Sequence, residues 1–154
     1  MGEFELLDLS NDDPEVLGRI DIILRFLHQF GDEEAYLAVE CKRVGYGESG
    51  LNQRYVTQGV NRFVTGQYAA GHHWGMMLGY VLSLPTAAIV KGIDARMRAT
   101  YGETAQLRDL EAHAEALSAH LGDLAQGGAG HVIRLMHIFV DTTPAAATTG
   151  SASR

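Results

Sequence analysis

Residues 19–43 read RIDIILRFLHQFGDEEAYLAVECKR. The stretch decides the fold because it reads as two adjacent strands, 19–27 and 35–44, joined by a polar turn around Gly31-Asp32. The first carries a lone acid, Asp21, inside a run of Ile, Leu and Phe, and the second closes on Glu40-Cys41-Lys42. Side chains two apart on a strand share a face, so Glu40 and Lys42 project together. Asp21 joins them if the strands pair. Two carboxylates and an ammonium at one sheet edge suit metal-dependent phosphodiester hydrolysis: the acids hold a hard cation, and the amine orients water or offsets phosphate charge. An acid inside an apolar strand costs several kcal/mol unless it is paired or metal-bound, which sets Asp21 apart from an ordinary surface charge. A bare Glu-x-Lys has little weight by itself, because strands often leave the core on charged residues.

Outward from this stretch, the chain alternates elements. Residues 14–18 (PEVLG) suit a short helix capped by Asp12 or Asp13, with Pro14 in the first turn. GYGESG at 45–50 is a glycine-rich loop without the lysine and following Ser or Thr of a phosphate-binding loop. Residues 51–69 show helical spacing, and 74–82 (WGMMLGYVL) read as a buried strand. Residues 86–99 and 104–121 read as helices, the second rich in Ala, Leu, Glu and His; QGGAG at 126–130 breaks the chain, and 131–140 form a last strand. The expected order is α-β-β-α-β-α-α-β, an α/β domain over residues 1–141 with a mixed sheet and helices on both faces. Residues 142–154, TTPAAATTGSASR, are a low-complexity tail expected to be disordered.

The pairing of Asp21 with Glu40-Cys41-Lys42, followed by the helix LNQRYVTQGVNRFVTGQYAAG, resembles the PD-(D/E)xK nuclease superfamily, the restriction-endonuclease-like fold with an αβββαβ-type core. Ile20 stands where that family often has Pro. The resemblance covers about the first half of the chain by motif and the rest by fold pattern. It implies an endonuclease or nuclease subunit using Mg²⁺ or Mn²⁺, held by Asp21, Glu40 and the carbonyl of Cys41. Glu15 is a further candidate ligand, since an acid on the first helix sometimes joins such a site. Lys42 and Gln58 are the implied catalytic partners. Arg43, Arg54 and Arg62 are the candidate contacts to nucleic acid, with DNA the expected substrate and bacterial defence a role of comparable small chains. The alternative is a catalytically inactive module on the same fold, docking a partner through residues 86–121 and using Asp21, Glu40 and Lys42 as a structural ion network.

Composition bounds the rest. The 154 residues fit one domain, and 46% hydrophobic content supports a real core. The single cysteine, Cys41, excludes an internal disulfide and is expected to point into the core; a cytoplasmic, reducing setting fits. The acidic N-terminus lacks a signal-peptide pattern, and no apolar run is long enough to span a membrane. The net charge of −7 opposes a polyanion, yet residues 40–70 carry four basic against two acidic side chains. The expectation is therefore that the chain self-associates or works as a subunit of a larger complex. The seven histidines show no Cys/His zinc spacing and read as structural.

Overall fold

The computed structural model describes residues 4–8, 15–25, 36–111, 114–128 and 130–144; of 4–8 and 15–20 it describes the backbone alone. The turn HQFGDEE and the tail beyond residue 144 lie outside the described residues.

Strands β1 (Phe4–Asp8) and β2 (Glu15–Ile20) form an antiparallel pair of their own. A bend at Asp21 separates β2 from β3 (Ile22–Leu24), and β3 runs antiparallel to β4 (Leu37–Val44). A single helical column follows: α1 (Ser49–Arg54), a π-helical turn (Tyr55–Val60) and α2 (Asn61–Val64). It crosses to β5 (Trp74–Val81), parallel to β4. Next come α3 (Thr86–Tyr101), a 3₁₀ turn (Glu103–Ala105), β6 (Arg108–Leu110), β7 (Leu117–Gln126) and β8 (His131–Asp141). The main sheet is six-stranded and mixed, in the order β3-β4-β5-β8-β7-β6. Its centre, β4-β5-β8, is parallel, which explains the almost uninterrupted apolar reading of WGMMLGYV.

The protein is thus α/β, as expected, but several elements differ from the sequence reading: β1 was not expected, and the strand expected over 19–27 is broken by the bend at Asp21. Residues 15–20 form a strand where 14–18 suggested a helix. Residues 104–121 form the 3₁₀ turn, β6 and the start of β7 in place of a helix. The Ala- and Leu-rich composition favours a helix locally, but β7 gains a ten-rung ladder with β8, and that non-local pairing prevails. The helical surface expected over 86–121 therefore shrinks to α3.

Among the described residues, every helix lies on one face of the sheet, where both faces were expected to be covered. The registers align Glu40 with Met77, Met77 with His137, and His137 with His120, so these four define that face. Tyr55, Val56, Val60 and Phe63 from the first column and Ile89, Ile93 and Met97 from α3 pack on it to form the core. Close approach requires small residues here. A Cβ added at Gly75 would lie 2.6 Å from the Phe63 ring and 2.7 Å from Leu135, both fully buried. Gly75→Ala is therefore expected to cost about 2 kcal/mol through overpacking, seen as a lowered thermal midpoint. The opposite face presents a half-buried apolar row that includes Met76, Leu78, Met136 and Ile138.

Candidate active site

Glu40 and Lys42 share the helix-covered face of β4, and Asp21 lies at the bend beside this strand. The β3–β4 register ends at Ile22 opposite Val39, one residue short of Asp21. Asp21 is half-buried at a bend, and so does not sit inside a strand as its apolar neighbours suggested. Its Oδ2 accepts the Cys41 backbone N–H at 2.7 Å, so β3 is tied to β4 by a side chain where the ladder stops. Glu40 is not a strand-end residue either. It lies mid-strand and is 1% exposed.

Two cations answer that buried carboxylate. Lys42 Nζ donates to Glu40 Oε1 and reaches the Cys41 carbonyl at 3.4 Å. Arg62 Nη1 lies 3.5 Å from Glu40 Oε2. Burial pushes the Glu40 carboxyl above its usual range, Lys42 and Arg62 pull it back, and Asp21 adds a further upward push. Arg62 also donates to the Tyr68 hydroxyl and sits 5.1 Å from the centre of its ring. Burial, reinforced by Glu40, raises the Tyr68 phenol to about 12, so it stays protonated.

The other residues read from the sequence are placed as follows. Gln58 is exposed on the π turn, next to Gly59, where an added Cβ would come 3.4 Å from the Lys42 stem. Arg54 is exposed at the end of α1. Arg43 is exposed and follows Lys42 on β4, so strand alternation turns it to the far face. Glu15 opens β2 and not a helix; its side chain lies outside what is described. Cys41 is half-buried on the far face, not in the core, with the Tyr80 hydroxyl 3.9 Å from its sulfur. Burial, with Asp21 and Glu40 nearby, raises its thiol above the ordinary range. Sequence reasoning placed Tyr68 within a helical apolar pattern and missed it as a site residue. Its position depends on a turn at Gly66, φ +75°, which no helical periodicity shows.

The donor set suits a hard cation. Asp21, Glu40 and the Cys41 carbonyl offer only oxygen, and the Lys42 ammonium already bridges two of those three groups. Among the described residues no cluster of three or more His, Cys, Asp or Glu side chains could hold a metal. No described helix is long and apolar enough to cross a membrane. Comparison of the chain with protein-family models, curated proteins and solved structures finds no match to any of them.

Proposed function

We propose that this chain is a divalent-metal-dependent phosphodiester hydrolase of restriction-endonuclease-like fold, acting on nucleic acid and most favourably on DNA. The carrying observation is Glu40: a carboxylate at 1% exposure, with Lys42 and Arg62 against its two oxygens and Asp21 bonded to the backbone N–H of the next residue, Cys41. A strand gains little stability from such a group, because desolvating the ions offsets most of their attraction. The β3–β4 hairpin, helical crossover and parallel β5 support the same fold.

Asp21, Glu40 and the Cys41 carbonyl would hold Mg²⁺ or Mn²⁺, which supplies Lewis-acid polarisation and a more acidic water. Lys42 would orient that water and offset charge on the phosphate. Arg62, with its half-exposed guanidinium beside Glu40, would meet a non-bridging phosphate oxygen. Gln58 is kept as the catalytic partner of Lys42, and Arg54 stands further out on the same helical column as a backbone contact; Arg43 faces the other side of the sheet, and Glu15, which opens a strand and not a first helix, loses its ground as a ligand. The −7 charge disfavours a polyanion, so the proposal includes a second copy or a larger assembly as a source of affinity, in a cytoplasmic setting and a defence role.

A second reading is a non-catalytic module. It is favoured by the fact that Lys42 and Arg62 neutralise Glu40 without any metal. Incubating linear, circular and single-stranded DNA, and RNA, with and without Mg²⁺ or Mn²⁺ separates the two. Metal-dependent cleavage that falls at least about 100-fold in Lys42→Met is the expected outcome. No cleavage, together with no Mn²⁺ binding that depends on Asp21 and Glu40, overturns it in favour of the module.

A further inference from the structure

We infer that Gln126, at the far end of β7, and Tyr68 are positioning residues that hold Arg62 against Glu40. Where the inference concerns cleavage, it rests on the function proposed above. Gln126 is a buried amide, 4% exposed, and it is spent entirely on one loop. Its Nε2 donates to the carbonyls of Phe63 at 2.8 Å, Ala69 at 3.1 Å and Tyr68 at 3.4 Å, and its Oε1 accepts the Gly71 N–H at 2.9 Å. The next residue continues the clamp, with the Gly127 N–H donating to the Val64 carbonyl at 2.9 Å.

The clamped loop is not a relaxed one. Ala69 has φ +51°, a left-handed conformation that costs a non-glycine residue about 1 kcal/mol and persists only where surroundings enforce it. The residue before it is Tyr68. Its ring is fully buried, packed edge-on against Phe63, while its hydroxyl receives Arg62. The links run in series: the amide sets the loop, the loop sets the phenol, and the phenol sets the guanidinium. Arg62 is a long, half-exposed side chain, a residue type that loses much rotamer entropy when it is ordered. Fixing it in advance removes that entropy from phosphate binding.

The test follows the Arg62 guanidinium directly, by its Nε–H resonance and solvent exchange, and follows cleavage in parallel. Tyr68→Phe keeps the packing and removes only the hydroxyl; Gln126→Leu removes the clamp at similar volume. Both are expected to speed Arg62 exchange at least about tenfold and to lower kcat/KM for metal-dependent cleavage by a similar factor, with KM moving more than kcat. The double variant is expected to be no worse than the poorer single variant, because both act through one link. Folded Gln126→Leu or Tyr68→Phe with unchanged Arg62 exchange overturns the inference. If Gln126→Leu does not fold, Tyr68→Phe and the intermediate Gln126→Glu decide it. If the wild-type protein cleaves nothing, the proposed function fails, while the exchange measurement still decides the positioning role.

Discussion

Glu40→Gln is expected to melt at a higher temperature than the wild-type protein at pH 7–8 and to lose metal-dependent cleavage. Burial raises the Glu40 carboxyl above its ordinary value of 4.5, so the folded protein holds that proton more tightly than the unfolded chain does. Folding stability tied to this group is then undiminished below pH 4.5 and falls as pH rises through the raised folded value. Glutamine copies the uncharged state without titrating. The released Lys42 and Arg62 are partly exposed and reach water, so they are not stranded. Removing one partner of an ion pair is costly only where the charge left behind is buried, and here both remaining cations reach water, so relief of the Glu40 desolvation is expected to leave a net gain of about 1 kcal/mol and to raise the midpoint by roughly 2–4 °C. The variant's advantage should shrink as pH is lowered toward 4.5. Cleavage should fall at least about 100-fold, since residues behind a metal ligand already cost that much when removed. Unfolding curves over pH 4–8 alongside the cleavage assay check both halves. A destabilised Glu40→Gln would mean that the ion network holds the sheet together.

The second large effect lies on the same face of the sheet, away from that site. His137 is fully buried, its Nδ1 is 2.8 Å from the Tyr55 hydroxyl, and its Nε2 has no partner among the described residues. Burial holds the Tyr55 phenol protonated, so it donates to Nδ1 and leaves the ring proton on the orphaned Nε2. Burial, with His120 alongside, lowers His137 from 6.5 to about 3. The unfolded chain therefore takes up a proton that the folded one refuses. Stability is full above pH 6.5 and drains as pH falls toward 3, by roughly 4 kcal/mol if the group acts alone. Tyr55→Phe/His137→Leu removes both partners together, so no new unsatisfied atom is made. At pH 7 it should match or exceed the wild type; by pH 4 it should be markedly more stable. A double variant whose stability falls with acid as steeply as the wild type would place the acid sensitivity elsewhere, with the Asp123 carboxylate between Arg108 and Arg134 as the next group to examine.

How much of this was legible in the chain depended on the range of the interaction. Strand β4, the shared face of Glu40 and Lys42, strand β5, most of α3 and strand β8 follow from period and apolar runs, which are local properties. Residues 104–121 were misread because Ala, Leu and Glu favour a helix locally, while Gly122, held close beneath the Ala105 carbonyl, and the β8 ladder act from a distance. Asp21 was visible as an anomaly, but its bond to the Cys41 N–H depends on a bend that composition does not announce. Arg62 was picked out for nucleic acid, and the structure adds its pairing with Glu40. Tyr68 and Gln126 were invisible because they act together across 58 residues of chain.

The π turn at Tyr55–Val60 carries a consequence for chain length. Upstream of its end, Tyr55 is anchored to His137; downstream, Arg62 is anchored to Glu40. A π turn holds one residue more than an α turn, and removing it would rotate one half of the column against the other by about 100°. Tyr55 and Arg62 could not then both keep their partners. Substitutions on the outward positions of this column should be tolerated, whereas a one-residue deletion between 55 and 60 should break one anchor or the other. At this point the chain is constrained by how many residues it has as well as by which ones they are.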